Sequence, residues 1–194
     1  MKEIETKEEE KGEYGYRTTN RRMRLMITGI LLLAILAQLF ARHFASEQAT
    51  KNVLTVMAIL TVLPMANMAS PLLASWNYRT PGETFHQKLV PYEKKTLLLY
   101  DLIVTTKEYV LPFDAVIVHP AGIYAYCPKK NLKTAKAEQA VSDLLRANKM
   151  MLSFKIISDE HGFFKRLESL KPADSYEDDG SVEYASRLLK NLSM

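Results

Sequence analysis

The chain has 194 residues, 47% of them hydrophobic, and a formal net charge of +4. This length fits one domain, or a membrane anchor with one small domain, and the composition excludes collagenous, low-complexity and wholly disordered proteins. A single cysteine, Cys127, excludes a disulfide framework and any zinc site built from several cysteines. The balance of 26 basic and 22 acidic residues is too even to indicate nucleic-acid binding by itself.

The first predicted segment is a charged tail over residues 1–22. Six acidic and four basic side chains precede Asn20, with little apolar surface to bury. We therefore expect this tail to be disordered and solvated, and the Arg21, Arg22 and Arg24 cluster to meet anionic headgroups.

Two uncharged apolar segments follow the tail, 25–41 with 17 residues and 53–76 with 24. Because a membrane span takes roughly 17–25 apolar residues, we predict transmembrane helices over 23–43 and 53–77, joined by a loop over 44–52. Pro64, Asn67 and Pro71 lie inside the second segment, where a neighbouring helix must satisfy the backbone groups that proline frees.

The loop is short, so the two helices are expected to be antiparallel neighbours. Two interpretations of their packing stay open: close approach through small residues, or no special role for common alanines. Asn67 either bonds across the hairpin or marks a substrate path. The small residues that recur on each helix are Ala34, Ala37, Ala41, Ala66, Ser70 and Ala74.

Basic residues predict the orientation of this hairpin. The connection over 42–52 carries only Arg42 and Lys51. More basic residues lie close to the other ends of the spans, namely Lys11, Arg17, Arg21, Arg22 and Arg24 before the first span and Arg79, Lys88, Lys94 and Lys95 after the second. The positive-inside rule then predicts a multi-pass protein of the cell membrane with both termini cytoplasmic. Cys127 would lie in a reducing compartment, which suits a free thiol.

Residues 78–170 are predicted to form a small cytosolic mixed α/β domain. Pro81-Gly82 marks a turn before a short helix, and 97–105 is a strand or the tail of a helix. A hairpin of two strands, 114–118 and 123–126, turns at 119–122. An amphipathic helix over 134–148, a strand over 151–158 and a helix capped by Asp159 complete the domain.

The chain ends with an acidic linker over 171–180 and an amphipathic helix over 181–194. Three alternatives stay open for this helix: docking on the domain, binding a partner or lying on the membrane. Its apolar side consists of Val182, Ala185, Leu188, Leu189 and Leu192.

Sequence motifs of common catalytic sites are absent. The four histidines are scattered without metal-ligand spacing, and there is neither a glycine-rich phosphate loop nor a serine in a nucleophile elbow. We therefore predict no catalytic residue, no cofactor and no bound metal.

One stretch carries a family resemblance. Asp114 opens a strand, a Pro-Ala-Gly turn ends at Gly122, and the next strand leads to Cys127, Pro128 and Lys129. This pattern resembles the nuclease-related domain (NERD) family, which looks like a branch of the PD-(D/E)xK nuclease fold. Gly82-Glu83 and Gln139-Ala140 extend the resemblance, which covers roughly 81–157.

The resemblance implies a Mg²⁺ site made of an aspartate and a glutamate, with a lysine two residues on that orients water. Here Cys127 stands at the glutamate position, and a soft thiol suits Mg²⁺ poorly. Asp114, Cys127 and Lys129 are therefore the candidates for a degenerate site, in a protein predicted to be a pseudo-nuclease. The alternative is that Asp114 caps a turn and Lys129 is a solvated charge.

Three functions follow as hypotheses. The favoured one is a catalytically inactive, membrane-anchored domain that binds a protein partner or regulates it at the inner membrane face. The second is a membrane-tethered nucleic-acid-binding or nuclease-like protein, motivated by the nuclease-related resemblance and by Lys129, Lys130, Lys133 and Lys136. The third is an accessory subunit of a transporter or channel, because two spans are too few for transport alone.

Overall fold

A computed structural model describes residues 11–129, 132–177 and 179–194 of this chain. The chain divides into two compact units. One unit combines the residues up to Arg17 with Arg79–Met194, and the other is Thr18–Tyr78. We call them the domain and the hairpin.

The hairpin consists of two long antiparallel stretches of helix, α1 (Tyr16–Phe44) and α2 (Gln48–Ser75). Each carries a window that is long and apolar enough to cross a membrane, with mean hydropathy 2.1 and 1.8, and 6% of each window is buried. The prediction of two long apolar helices is confirmed, but the connecting loop is shorter than 44–52. Residues 48–52 are already helical, since nothing in their sequence breaks the backbone ladder, and α1 begins at Tyr16 rather than at residue 23.

The two helices contact each other through a polar pair and buried apolar residues. Gln38 Nε2 donates a hydrogen bond of 3.4 Å to Thr61 Oγ1, and Ile35 and Ala58 are buried. Asn67 is exposed, as are most members of the small-residue stripes: Ala37, Ala41, Ala66, Ser70 and Ala74. The predictions of a small-residue interface and of Asn67 bonding across the hairpin are therefore wrong. Asn67 is six positions beyond Thr61, about one and two-thirds helical turns, and therefore lies on another side of α2.

The domain contains a four-stranded sheet in the order β1-β2-β3-β4. Its strands are β1 (Leu97–Thr105), β2 (Val110–His119), β3 (Gly122–Tyr126) and β4 (Phe154–Ile157). The first three pair antiparallel, and β4 pairs parallel to β3. The expected mixed α/β domain is confirmed, and the residues at 97–105 form a strand rather than a helix tail.

Helices cover both faces of this sheet. The core on one face includes side chains of α4 (Thr134–Ala147) and α6 (Ser181–Leu192). The core on the other includes side chains of α3 (Glu83–Leu89) and α5 (Glu160–Ser169). Short 3₁₀ turns lie at Val90–Tyr92 and Ala173–Ser175. The N-cap prediction is confirmed, because Asp159 Oδ2 accepts a 2.7 Å hydrogen bond from the Gly162 backbone N–H.

The C-terminal helix docks on the domain. Ala185, Leu188 and Leu189 of α6 are buried against β1 and β2. This docking resolves the three alternatives, since the apolar side of α6 is already used within the chain.

Both described ends of the chain cover the outer edge of β1. The Tyr100 N–H donates to Gly12 O at 2.8 Å, and the Ile103 N–H donates to Ser193 Oγ at 3.0 Å. Lys11 Nζ joins the two ends through a 2.7 Å hydrogen bond to Ser193 O. The prediction of disorder is therefore wrong for residues 11–22, because an edge strand with unpaired backbone groups binds the segment before α1. Residues 1–10 lie outside the described ranges.

Candidate functional site

A polar row crosses the sheet from β1 to the end of β3. Asp101, Asp114 and Cys127 lie at successive positions of this row. The paired residues that flank it are Tyr100–Ala115, Leu102–Phe113 and Ala115–Tyr126. Two carboxyl groups and one thiol thus share one level of an otherwise apolar sheet.

The backbone is irregular at this level. Asp101 has φ of 55°, in the left-handed region that aspartate tolerates better than β-branched residues do. Side-chain alternation shifts by one residue there, so that Leu99 and Leu102 share one core. Phe113 and Val116 do the same on β2. The alternation of side chains shifts at the same level on both strands, so the strands keep their register. Between the Tyr100–Ala115 and Leu102–Phe113 pairs, the regular backbone pairing is interrupted.

Arg17, the second residue of α1, lies at this interruption. Its guanidinium is buried, with a side-chain exposure of 4%. Nη1 donates to Asp114 Oδ1 at 3.0 Å and to Arg79 O at 2.6 Å. Nη2 donates to Phe113 O at 3.1 Å and to Leu102 O at 3.4 Å. One cation therefore satisfies carbonyls on both strands together with a carboxylate.

Asp101 holds the other side of the guanidinium. Its Oδ2 accepts from the Gly15 N–H at 3.0 Å and from Thr80 Oγ1 at 2.8 Å, and its Oδ1 lies 3.7 Å from Arg17 Nε. Burial raises the pKa of both Asp101 and Asp114, and the positive charge of Arg17 acts in the opposite direction. The cluster thus contains two carboxylates that compete for one buried cation.

Cys127 is fully buried just beyond β3. Its backbone N–H donates to Ile157 O at 3.0 Å, and its side chain belongs to the core between the sheet and α4. Burial raises the pKa of the Cys127 thiol, while a backbone hydrogen bond from Lys129 lowers it. A neutral, enclosed thiol is a poor nucleophile and a poor ligand for Mg²⁺.

Lys129 does not point to an open site. Its Nζ donates to Val110 O at 3.2 Å, and it follows the exposed Pro128 beyond the end of β3. Asp114 also departs from the expected pattern, because β2 begins at Val110 and places Asp114 in mid-strand. Among the described residues, no group of three His, Cys, Asp or Glu side chains is placed to hold a metal ion. Lys133 and Lys136 are exposed, and Lys130 lies outside the described ranges.

A groove of about 570 Å³ lies beside the polar row. Its lining includes Gly12, Tyr14, His86, Glu93, Leu97 and Tyr100, and we call it the N-terminal groove. His86 stacks on Tyr100 with ring centroids 5.0 Å apart, and the Tyr100 O–H donates to Glu93 Oε1 at 2.7 Å. Leu97 presents an apolar surface there, with 38% of the residue exposed. The groove therefore offers an apolar floor, aromatic rings and carboxylates to a ligand or partner.

Two residues of this site were missed by reasoning from sequence. Asp101 had a signal, since it is the single charge in an apolar strand, but the pattern gave no partner for it. Arg17 had none, because its neighbours indicate a solvated tail. The structure places Asp114 and Cys127 in the same row, and Arg17, which also contacts Asp101, is the partner of Asp114 in place of Lys129.

Comparison with known proteins gives no relative. No family model matches the chain, and neither the curated proteins nor the solved structures contain a significant match. The resemblance to the nuclease-related family therefore remains a prediction that depends on the quoted residues.

Proposed function

We propose that this protein is a membrane-anchored, catalytically inactive α/β module that binds a protein partner at the cytoplasmic face of the membrane. The observation that carries the proposal is the Arg17–Asp114 ion pair. A metal-dependent nuclease needs its aspartate free to ligate a cation, whereas this carboxylate is occupied by a cation of its own chain.

The anchor is supported by the hairpin. A core helix of a soluble protein is mostly buried, whereas 6% of each apolar window is buried here. Large side chains such as Leu33, Phe40 and Leu63 are more than 60% exposed on these helices. Surfaces of this kind are suited to lipid. The basic residues that flank the spans favour a topology with both termini in the cytoplasm.

The partner surface that we propose is the N-terminal groove. The amphipathic helix α6 is docked and its apolar side is unavailable, whereas the groove is an open concave surface beside the polar row. The groove lies between the segment before α1 and the edge of β1. A partner bound there would therefore be able to change the contacts between that segment and β1.

Two experiments with the full-length protein test this function. First, a photo-crosslinking amino acid at Leu97 is expected to capture a protein in membranes, whereas the same probe at Met151, which is 86% exposed, is not. Equal capture at both positions would contradict the groove as the partner surface. Second, the purified protein should leave DNA and RNA intact in Mg²⁺ and in Mn²⁺, and cleavage that Asp114→Ala abolishes would show a nuclease. A fragment beginning at Arg79 is unsuitable, because it removes Arg17 from Asp101 and Asp114.

A second candidate, an accessory subunit of a transporter or channel, is favoured by the exposure of Asn67. A polar amide on the outer surface of an apolar helix gains from a partner within the membrane. Asn67→Leu is then expected to abolish co-purification of a membrane partner and leave crosslinking from Leu97 unchanged. If Asn67→Leu still co-purifies with the membrane partner, the result would count against this candidate.

A further inference from the structure

A second concavity lies at the loop end of the hairpin. It measures about 250 Å³ and is lined by Leu39, Arg42 and His43 of α1 and by Lys51 of α2. The lining thus combines an arginine, a lysine and a histidine, and no carboxylate is among these side chains. We call it the loop-end site.

The short connection brings these cations together. Only residues 45–47 separate α1 from α2, so the last turn of one helix lies beside the first turn of the other. Over the ranges that the structure describes, no carboxylate forms an ion pair with Arg42 or Lys51. Like charges at close range repel each other, and a bound anion would relieve that repulsion.

Exposed apolar side chains of α1 adjoin the site. Leu39 contributes to its lining with 45% of the residue exposed, and the neighbouring Phe40 and Phe44 are 67% and 68% exposed. The matching ligand is therefore amphipathic, with an anionic group for the cations and a hydrocarbon portion for these side chains. A phosphate suits the anionic part, because a guanidinium donates two parallel hydrogen bonds to its oxygens.

We propose that the loop-end site binds the headgroup phosphate of an anionic phospholipid, whose acyl chains lie along the exposed apolar face of α1. A zwitterionic headgroup would bring its own ammonium to a site that already holds two cations, whereas an anionic headgroup adds only negative charge. This inference rests on the proposed membrane anchor, because that anchor places the loop end at the level of the headgroups.

The test measures lipid that remains bound to the full-length protein. The protein is incubated in detergent with equal amounts of phosphatidylglycerol and phosphatidylcholine, and the retained lipid is identified by native mass spectrometry. We expect the wild type to retain phosphatidylglycerol in preference, and Arg42→Gln with Lys51→Gln to lower that retention about tenfold through the loss of charge-assisted hydrogen bonds. Lys107→Gln, which removes one exposed charge from the domain, is the control and should retain the lipid as the wild type does.

Two results would overturn the proposal: a wild type without preference between the lipids, or a double variant that retains phosphatidylglycerol unchanged. An excess of inorganic phosphate should leave the lipid bound, because it has no hydrocarbon to contact Leu39, and release by phosphate would contradict a lipid ligand. Flotation with vesicles separates this inference from the anchor. A protein that floats with vesicles but shows no lipid preference contradicts the loop-end site alone, whereas one that fails to float contradicts the anchor as well.

Discussion

Asp101 and Asp114 lie opposite each other on β1 and β2, and both carboxylates face the guanidinium of Arg17. The residues are 13 positions apart in the sequence, while Arg17 is 97 positions from Asp114. Arg17, which lies near the beginning of the described chain, therefore supplies the hydrogen-bond donors at the point where the pairing of β1 and β2 is interrupted.

Removing the cation tests how much this cluster contributes to folding. Arg17→Met leaves two buried carboxylates and two strand carbonyls without their donor, and breaking a buried pair in this way costs about 3–5 kcal/mol. We expect a large fall in the melting temperature of the full-length protein in detergent. Arg187→Met, which removes an exposed partner of Glu183, is the matched control and should melt as the wild type does. Equal melting of the two variants would refute a structural role for Arg17.

The pH dependence of stability distinguishes the two carboxylates from ordinary surface acids. Burial raises the pKa of Asp101 above its ordinary 3.8, so its contribution to stability is full below 3.8 and is lost as the pH rises through the folded-state pKa. Asp101→Asn removes this ionisation and keeps a residue that tolerates a positive φ. The melting temperature of the variant relative to the wild type should therefore rise as the pH is raised above 3.8. A constant difference at all pH values would contradict the raised pKa.

The environment of His119 predicts a pH dependence of stability opposite in sign to that from Asp101. The Ala121 N–H donates to its Nδ1 at 3.1 Å, so Nε2 carries the proton and faces Lys171 O at 3.0 Å. Burial lowers the pKa of His119 below its ordinary 6.5, and protonation of Nδ1 would oppose the Ala121 N–H. The folded-state pKa is depressed, so stability is full above 6.5 and is lost as the pH falls through the folded-state pKa.

The variant His119→Gln checks this assignment, since an amide can accept from Ala121 and donate to Lys171 without titrating near neutral pH. The denaturant midpoint of the wild type should decrease as the pH is lowered below 6.5. The midpoint of the variant should change less over the same pH range. Identical pH profiles would show that another group is responsible.

Cys127 is expected to be inert in the folded protein. It is fully buried and burial raises its pKa, so iodoacetamide should alkylate it only after denaturation. A control protein with Cys127→Ser and Lys107→Cys places one thiol at an exposed position and should react in the native state. Mass spectrometry reads both reactions, and rapid native alkylation of Cys127 would contradict the enclosed thiol.

Several elements of this protein could be predicted from local sequence. The two helices of the hairpin follow from long uncharged runs, and the β2–β3 hairpin follows from its turn residues. The helix cap at Asp159 and the apolar side of α6 are also local, since they depend on hydrogen bonds or periodicity within a few residues. Of the candidate site, local sequence indicated Asp114 and Cys127 but not what surrounds them.

Contacts between distant residues decided the rest. Arg17 reads as part of a charged tail until the uncovered edge of β1 binds the segment before α1, and α6 had three open destinations until its apolar side met β1 and β2. Asn67 and Thr61 are both polar residues within the apolar helix α2. Thr61 accepts a hydrogen bond from Gln38, whereas Asn67 is exposed on another side of the helix. The sequence by itself determined the two apolar helices and the β2–β3 hairpin, because periodicity and turn chemistry act locally, whereas it left 97–105 open between a strand and a helix. Only the tertiary structure decided which cation neutralises Asp114, because that choice depends on satisfying buried carbonyls and carboxylates from segments far apart in the chain.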